Sequence, residues 1–311
     1  MLPRPLIIDC DPGVDDAIAL LLAFASPDEF DLLGITTVAG NVPLALTQAN
    51  ARRLCHLAQR TDVPVYAGCP RPLLRPLITA EDIHGSTGLE GVVLPEPTMA
   101  LQAQHAVAFL MEQCTTAMAP ITIAALGPLT NLAAALIQCP AMAKGIDQVV
   151  IMGGALGFGN ITPAAEFNFY VDPHAAKVVV DAGLPLTILG LDVTHQVVTT
   201  AERLAALEAL GTPLGQTVAA LLRHYGQDDV DRHGLAGPPL HDPCVIAYLL
   251  CPDLFTGRPM HVDIETEGTL CLGRTVANAR PTEAVPANAM VIETADAEGV
   301  YALLTERLGK L

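Results

Sequence analysis

Four aspartates fall within eight positions near the start of this 311-residue sequence. Asp9, Asp11, Asp15 and Asp16 lie in the stretch LIIDCDPGVDDA, which contains no lysine or arginine. Carboxylates held close together repel one another, so the group requires either raised pKa values or a bound cation. A hard divalent cation with oxygen ligands is the simpler solution. The stretch therefore predicts a metal site.

Helix and turn formation account for part of this acidic stretch. Asp11-Pro12-Gly13 suits a turn, and Asp15 or Asp16 could cap the helix expected to follow. The helix dipole stabilises a carboxylate by only about 0.3–1 kcal/mol. Capping and turn chemistry thus explain one or two of the four aspartates.

A further acidic position precedes an apolar helix late in the chain, in the sequence His241-Asp242-Pro243. An aspartate at the N-cap followed by proline is also an ordinary way to begin a helix. Asp172-Pro173 has the same form, and there we interpret the aspartate as a cap that contributes about 1 kcal/mol. His241 distinguishes the later pair, because a histidine exchanges protons near neutral pH. We therefore expect the later pair to belong to the metal site.

The segment 159–173, GNITPAAEFNFYVDP, places amide and carboxylate side chains among apolar residues. Asn160, Glu166 and Asn168 could donate to and accept from the neutral hydroxyl groups of a ligand. Ordinary hydrogen bonds within a loop would use the same residues. These residue types are consistent with both interpretations.

A mostly parallel sheet would bring these separated residues together. Short apolar runs alternate with helical patterns, which indicates parallel strands joined by crossover helices. The runs are apolar on both faces, so we predict an open, mostly parallel α/β sheet with helices on both faces, in a single domain of residues 1–311. Strands are expected at 6–9, 32–40, 63–67, 121–126, 148–154, 186–192, 260–266 and 289–294. Helices are expected near 16–25, 43–60, 102–118, 129–138, 173–182, 201–226, 243–250 and 296–309.

The ligands of such sheets gather at the carboxyl ends of the strands. Asp9 and Asp11 end the first predicted strand, and Gly40-Asn41 ends the second. Gly127 follows the fourth. We expect these strand ends to form one rim on which the polar residues converge.

The composition excludes several classes of partner. The net charge is −17, with 33 Asp and Glu against 16 Lys and Arg, so nucleic acids and anionic membranes are poor partners. No segment of about 20 residues is free of charges and helix breakers, and the first apolar run is too short for a signal peptide. The eight cysteines show no metal-binding spacing. We expect a reduced, cytoplasmic protein whose partners are small neutral ligands and cations.

The motifs of nucleotide cofactors and of zinc enzymes are missing from the sequence. GGALGFG has the wrong spacing for the dinucleotide fingerprint, and no G-x-x-x-x-G-K-[ST] occurs. The histidines form no H-x-x-x-H pair, so zinc lacks support.

Seven short motifs, spread over nearly the whole chain, resemble those of one enzyme family. They are DCDPGVDDA near the N-terminus, VAGN at 38–41, IHGSTGL at 83–89, LGPLTN at 126–131, MGG at 152–154, AAEFN at 164–168 and HDP at 241–243. In this order they resemble the calcium-dependent nucleoside hydrolases of the inosine–uridine-preferring type. PAAEFN, LDVTH and PLHDPC are similar to the bacterial pyrimidine-specific ribonucleoside hydrolases.

The resemblance implies an open, mostly parallel α/β sheet and hydrolysis of the N-glycosidic bond of ribonucleosides to ribose and free base. It also implies Ca²⁺ as the cofactor and a homotetramer, with a dimer as the alternative. Uridine and cytidine are the expected substrates, and purine-accepting or non-specific hydrolysis is the alternative. Residues 222–238 would contact the base, with Tyr225, Gln227 and His233 as the candidates.

The resemblance further implies a role for each candidate residue. Calcium would be held by Asp11, Asp16, Asp242 and the backbone carbonyl of Leu126. Asp11 would also act as the general base. His84 and His241 would flank the nucleobase, with His241 as the acid that protonates it. The ribose pocket would be formed by Asp15, Asn41, Met152, Asn160, Glu166 and Asn168.

Two other functional classes are weaker alternatives. In a haloacid-dehalogenase-like phosphohydrolase, Asp9 would be the nucleophile of a Mg²⁺ phosphate site. That chemistry also calls for a later lysine, and lysine occurs only at positions 144, 177 and 310, away from any strand end. A non-catalytic, calcium-dependent binder of ribose or nucleosides would not need both Asp11 and His241.

Overall fold

A nine-stranded sheet forms the centre of the computed structural model, which describes residues 2–223 and 225–310 apart from the side chains of 227–229. The strands are β1 (Arg4–Cys10), β2 (Phe30–Thr37), β3 (Val65–Ala67), β4 (Ile121–Ala125), β5 (Ile146–Met152), β6 (Leu186–Leu189), β7 (Phe255–Ile264), β8 (Thr275–Asn278) and β9 (Ala289–Ala295). Their order in the sheet is β3-β2-β1-β4-β5-β6-β9-β7-β8. All neighbours from β3 to β9 are parallel, and β7 is antiparallel to both β9 and β8. The predicted mostly parallel sheet is confirmed.

Helices cover both faces of this sheet, as predicted. The α-helices are α1 (Val14–Phe24), α2 (Leu44–Leu57), α3 (Glu81–His84), α4 (Ala106–Thr116), α5 (Thr130–Gln138), α6 (Phe167–Val171), α7 (Pro173–Val180), α8 (Leu191–Thr194), α9 (Ala201–Glu208), α10 (Pro213–Leu222), α11 (Gln227–His233), α12 (Pro243–Leu250) and α13 (Ala297–Leu308). Leu6 and Ile8 of β1 pack in one core with α1 and α12, whereas Ile7 packs in a second core with α4, α5 and α7. Within the described residues, no helix has the length and apolarity that crossing a bilayer requires.

Helix α1 holds the acidic motif in place. Every residue of α1 is buried, and the helix packs against α2, α10, α12 and α13. A helix that is apolar on all sides is stable only when it is enclosed, and each buried leucine contributes about 1.5–3 kcal/mol. The first turn of α1, with Asp15 and Asp16, is therefore fixed beside the end of β1.

The region 201–226 differs from the single helix predicted for it. It contains two helices, α9 and α10, because Gly211 adopts a left-handed φ of +67° that ends the first helical segment. Thr212 then caps α10 by accepting from the backbone N of Gly215 at 3.1 Å, and Pro213 begins the helix. The sequence Gly-Thr-Pro is thus a helix stop followed directly by a helix start.

Several short elements were also absent from the prediction. They are β8, α3, α6, α8 and α11, each four to seven residues long. The strand predicted at 186–192 ends at Leu189, and α8 replaces its last residues. Elements of this length are too short to show a hydrophobic period in the sequence.

Asp172 begins α7 and also ties this helix to two other parts of the chain. Its Oδ1 accepts from the backbone N of Ala175 at 3.0 Å, which confirms the predicted cap. Its Oδ2 accepts from the backbone N of Leu73 and from Thr130 Oγ1, both at 2.8 Å. The carboxylate is fully buried, so it contributes more to stability than a cap alone.

Asp172→Ala should lower the free energy of unfolding by about 3 kcal/mol, because it leaves two buried donors and one part-buried donor without their acceptor. Urea denaturation measures this loss. Thr212→Ala, which removes a simple helix cap, is the matched control and should cost about 1 kcal/mol. Equal losses in the two variants would show that Asp172 acts only as a cap.

Candidate active site

A pocket opens where the carboxyl ends of β1, β2, β4 and β5 meet. Ten of the twelve candidate residues line it, namely Asp15, Asn41, His84, Leu126, Met152, Asn160, Glu166, Asn168, His241 and Asp242. The other two, Asp11 and Asp16, lie directly behind this lining and are fully buried. The fold therefore brings residues from both ends of the chain to one place.

Asn41 connects the pocket lining to the two buried aspartates. Its backbone N donates to Asp11 Oδ2 at 2.7 Å, and its Nδ2 donates to Asp16 Oδ2 at 2.9 Å. Its Nδ2 also donates to the backbone oxygen of Asp11 at 3.2 Å. The turn after β2 thereby fixes the carboxylates that follow β1.

Asp16 caps α1 and belongs to the acidic cluster at the same time. Its Oδ1 accepts from the backbone N of Asp11 at 3.1 Å, and its Oδ2 accepts from the backbone N of Gly13 at 3.0 Å. The capping role expected for Asp15 or Asp16 is therefore confirmed for Asp16. An oxygen of the same carboxylate lies within 4.8 Å of an oxygen of Asp242, at the start of α12. Capping thus does not exclude Asp16 from the site.

Three carboxylates could hold a divalent cation. Oxygens of Asp15, Asp16 and Asp242 lie within 4.8 Å of one another, and all three residues are buried. The predicted ligand set contained Asp16 and Asp242 but had Asp11 in place of Asp15. Asp11 Oδ1 is buried and has no hydrogen-bond partner among the described residues, so it can accept a proton or contact a cation. A donor set made only of oxygens fits a hard cation.

Burial and mutual repulsion disfavour the charged form of these carboxylates. Burial, and then the charge of Asp15, raises the pKa of Asp16 to about 7. The pKa values of Asp11 and Asp242 are raised well above their ordinary range, first by burial and then by neighbouring aspartates. A cation would reverse this effect, because it stabilises the ionised form.

Two glycines make room for the Asp11 carboxylate. A Cβ atom on Gly40 would lie 2.0 Å from Asp11 Oδ2, and a Cβ atom on Gly127 would lie 2.2 Å from Oδ1. Both distances are far below van der Waals contact, so any side chain at these positions would displace the carboxylate. The two glycines that end strands in the sequence therefore have a steric role in the site.

Asn168 joins the ends of β4 and β5. Its Nδ2 donates to the backbone oxygen of Leu126 at 2.7 Å and to that of Met152 at 3.1 Å. The carbonyl of Leu126, the fourth predicted metal ligand, has a second lone pair that this bond does not use. Asn168 therefore fixes two neighbouring carbonyl groups at the pocket wall.

Glu166 and Asn160 order their own loop as well as lining the pocket. The carboxylate of Glu166 caps α6 and accepts from three backbone N–H groups, those of Gly154 at 2.9 Å, Asn168 at 2.8 Å and Phe169 at 3.1 Å. Burial raises the pKa of Glu166, although these bonds oppose that shift. Asn160 Oδ1 likewise accepts from a backbone N–H at 2.9 Å. Both residues thus make the hydrogen bonds within the loop that the sequence allowed for them. Because both also line the pocket, these bonds are compatible with ligand binding.

Two histidines and a tyrosine form an aromatic part of the lining. The ring centroid of Tyr225 lies 5.5 Å from that of His84 and 6.4 Å from that of His241. His84 Nδ1 accepts from the backbone N of Val14 at 3.1 Å, and burial lowers the pKa of His84. His241 Nδ1 lies 2.8 Å from Thr194 Oγ1. This wall suits a flat, polar ring.

Among the candidates in 222–238, Tyr225 lines the pocket, whereas His233 packs against His195 with ring centroids 5.0 Å apart. The side chain of Gln227 lies outside the described residues. Sequence reasoning missed Arg232, which lines the pocket and donates to the backbone oxygen of Asn160 at 2.7 Å. An arginine in an exposed, charged segment carries no sequence signal for such a contact.

Asp9, the nucleophile in the phosphohydrolase alternative, is not among the residues that line the pocket. Its Oδ1 accepts from Thr36 Oγ1 at 2.6 Å and from Asn131 Nδ2 at 2.8 Å. Burial raises the pKa of Asp9 to about 6. Asp9 therefore links β1 to β2 and α5, which is a structural role.

The motifs, the sheet and the pocket agree with one protein family. The sequence profile of the inosine-uridine preferring nucleoside hydrolases matches residues 6–302. The chain belongs to this family. The resemblance inferred from the seven motifs is thereby confirmed, together with the assignment of the protein as an enzyme of the nucleoside hydrolase class.

Individual members of the family match this chain over almost its full length. A pyrimidine-specific ribonucleoside hydrolase of Shewanella woodyi is 47% identical over 308 residues, which cover 98% of each chain. A solved plant nucleoside hydrolase has a TM-score of 0.90 at 35% identity and covers 98% of this chain and 99% of its own. The purine-preferring ribonucleoside hydrolase from Gardnerella vaginalis has a TM-score of 0.91 at 30% identity, with 98% of both chains covered. The predicted fold class is confirmed by these nucleoside hydrolase structures.

The metal-free protein should lose stability as the pH rises. The Asp16 carboxyl ionises near pH 3.8 when unfolded and near pH 7 when folded, so between these values only the folded state holds the proton. The stabilisation is fully present below pH 3.8, and it is lost as the pH rises through about 7. Thermal unfolding in a chelator from about pH 5 to about pH 8 measures this decline. An excess of a divalent cation should remove this decline by binding the ionised carboxylates.

Asp242→Asn takes one repelling charge out of the cluster, so the metal-free variant should show a smaller decline. Asp147→Asn, at an exposed position in β5, is the control and should decline as the unmodified protein does. If the stability of both variants declined equally with rising pH, the carboxylate cluster would not be the cause of the decline.

Gly127→Ala should displace the carboxylate of Asp11, the general base expected from the sequence, and should lower kcat by about 100-fold, as a displacement of about 1 Å does for a reacting group. Nucleoside turnover measures this loss, and circular dichroism checks the fold. Gly309→Ala is the matched control, because its Cβ would meet other atoms only at 3.3 Å or more. Full activity in Gly127→Ala would contradict the steric role of this glycine.

Proposed function

We propose that this protein is a calcium-dependent ribonucleoside hydrolase that cleaves uridine and cytidine to ribose and free base. The observation that carries this proposal is one pocket in which buried carboxylates within 4.8 Å of one another lie beside two histidines. Carboxylates suit a cation and a sugar, whereas histidines suit a polar base that must accept a proton. The family assignment supplies the reaction class.

Calcium is the proposed cation because every candidate donor is an oxygen. Asp11, Asp16, Asp242 and the carbonyl of Leu126 are the proposed ligands, and Asp15 lies within reach of the same position. Bound calcium would orient two adjacent sugar hydroxyls and a water molecule, and it would make that water more acidic. Its positive charge would also relieve the repulsion among the buried carboxylates.

Asp11 is the proposed general base. The backbone N–H of Asn41 holds its Oδ2 at 2.7 Å, which directs Oδ1 to take a proton from the attacking water. The water oxygen then bonds to the anomeric carbon of the sugar. Positive charge develops on the sugar ring as the glycosidic bond breaks, and neighbouring carboxylates stabilise it until the water oxygen has bonded.

The sugar is proposed to lie among the other residues that line this part of the pocket. Its hydroxyls would bind to Asp15, Asn41, Asn160, Glu166 and Asn168, with Met152 against the ring. Both Nδ2 hydrogens of Asn41 and of Asn168 already bind protein oxygens, so the Oδ1 atoms of these residues would accept hydrogen bonds from the hydroxyls. Asn41 and Asn168 are already oriented by hydrogen bonds to the protein, so sugar binding would require little further ordering.

His241 is the proposed acid for the departing base, and His84 would hold the base by a hydrogen bond. The electron pair of the broken glycosidic bond moves to the base, which leaves readily only when it also receives a proton. A general acid of this kind contributes roughly 10²–10⁴-fold to the rate.

Two observations support the preference for pyrimidines. The relative from Shewanella woodyi, 47% identical, is named as pyrimidine-specific. A pyrimidine also lacks a ring nitrogen as basic as N7 of a purine, so it depends more on a proton delivered by a residue such as His241. Purine hydrolysis is the second candidate, because the Gardnerella vaginalis enzyme, which has the same fold, is named as purine-preferring.

We also propose that residues 1–311 form a single catalytic domain, that the protein is a homotetramer rather than a dimer, and that it works in the cytoplasm. All eight cysteines are free thiols, which supports a reducing compartment. Light scattering on the purified protein distinguishes the tetramer from the dimer.

The proposed function is tested with uridine, cytidine, inosine and adenosine, each also in its 2′-deoxy form, with calcium and with a chelator. We expect turnover of uridine and cytidine that the chelator abolishes and calcium restores. The deoxy forms should be poorer by about 10⁴-fold, because the polar groups that bind the missing hydroxyl stay unpaired.

Full turnover after exhaustive chelation would refute the metal requirement. Similar kcat/KM for uridine and deoxyuridine would refute the contact between the cation and the two hydroxyls. Calcium-dependent binding of uridine without any hydrolysis would identify the protein as a binder, and faster cleavage of inosine would favour the purine alternative.

A further inference from the structure

Thr194, the last residue of α8, contacts a residue of the pocket without lining the pocket itself. Its Oγ1 lies 2.8 Å from His241 Nδ1, and both side chains are buried. His241 is part of the pocket wall, whereas Thr194 lies outside the lining. The side chain of Thr194 therefore contacts the pocket wall through the ring of His241.

The two histidines of the pocket have different partners on Nδ1. The partner of His84 is the backbone N–H of Val14, at 3.1 Å, and a backbone N–H can only donate. His84 Nδ1 must therefore stay unprotonated, and the neutral ring of His84 keeps its proton on Nε2. This ring can donate a hydrogen bond to a base, but it cannot give up its proton and remain neutral.

The partner of His241 is a hydroxyl, which can accept as well as donate. When Thr194 Oγ1 accepts from Nδ1–H, the proton on Nδ1 stays in place and Nε2 becomes the nitrogen that exchanges protons. The same hydrogen bond then holds the ring before and after Nε2 transfers its proton. Of the two histidines, only His241 has a partner that allows this.

We propose that Thr194 is a positioning residue that accepts a hydrogen bond from Nδ1–H of His241 and so reserves Nε2 for the departing base. The inference rests on the proposed function, in which His241 is the acid. In that step the Nε2 proton moves to the base, the electron pair of the glycosidic bond leaves with the base, and the ring becomes neutral with its proton on Nδ1. Asp11 then releases to solvent the proton that it took from the attacking water, and solvent returns one proton to Nε2, so that the protons balance.

The kinetic test compares Thr194→Val with Thr194→Ser on two substrates. Uridine requires protonation of its leaving group, whereas p-nitrophenyl riboside does not. Thr194→Val should lower kcat on uridine at least about tenfold, a part of the general-acid contribution, and should change kcat on p-nitrophenyl riboside by less than about twofold. Thr194→Ser keeps the hydroxyl and should recover most of the loss. His241→Ala provides the reference for complete loss of the acid.

Thr199→Val is the matched control for these variants. Thr199 is also buried, and its Oγ1 makes a hydrogen bond of 2.6 Å to Tyr301 Oη, away from the pocket. Its removal should lower stability as Thr194→Val does and leave the ratio of the two kcat values unchanged. An equal loss on both substrates in Thr194→Val, or no loss on uridine, would overturn the proposal.

A spectroscopic measurement tests the same inference without turnover. Proton–nitrogen spectra of the imidazole rings identify the tautomer, and His241→Asn assigns the signals. The neutral ring of His241 should carry its proton on Nδ1 in the unmodified protein and should shift toward Nε2 in Thr194→Val. A proton on Nε2 in the unmodified protein would refute the proposal. If the protein does not cleave uridine, the proposed function fails, and this spectrum still decides the role of Thr194.

Discussion

Repulsion among buried carboxylates is the constraint on which the rest of this site depends. Asp11, Asp16 and Asp242 are enclosed where water cannot screen their charges, and burial raises the pKa of each. The protein opposes this cost with backbone N–H groups from Asp11, Gly13 and Asn41, all directed at carboxylate oxygens. These bonds hold the oxygens in place, but they do not supply a positive charge. A proton or a cation must do so, and this need connects the fold to the proposed chemistry.

Several residues of the site also build the local structure around it. Asp16 caps α1, and Glu166 caps α6, while each also forms part of the pocket or its floor. Asn168 binds the carbonyls at the ends of two strands. Because the same side chains bind backbone groups and form the pocket, the backbone fixes the positions of the polar atoms and the site is rigid. It also means that a substitution at these residues affects stability and activity together.

The short helix α8 connects the two sides of the pocket. Asp192 accepts from the backbone N–H groups of Leu156 at 2.6 Å and Gly157 at 2.9 Å, in the loop that carries Asn160. Two residues later, Thr194 holds His241 on the aromatic side. One turn of helix thus positions both the proposed sugar site and the proposed proton donor. This arrangement would hold the proposed sugar site and the proposed proton donor at a fixed distance from each other.

The sequence by itself showed that the aspartates near the N-terminus have no basic residue beside them, and it predicted the parallel sheet and the ends of its strands. These properties are local, because they depend on neighbouring charges, on turn residues and on the hydrophobic period. It distinguished Asp242 from Asp172, which share the form Asp-Pro, only through the neighbouring His241. The structure separates them through distant partners: Asp172 caps α7 and binds two donors from elsewhere in the chain, whereas Asp242 makes no cap bond and meets Asp16. The roles of Gly127 and Thr194 likewise appear only in the structure. Gly127 acts because its backbone lies close to a carboxylate, and Thr194 acts because its hydroxyl lies close to an imidazole. Both distances depend on how elements that are far apart in the sequence pack together, so the spacing of residues along the chain does not reveal them.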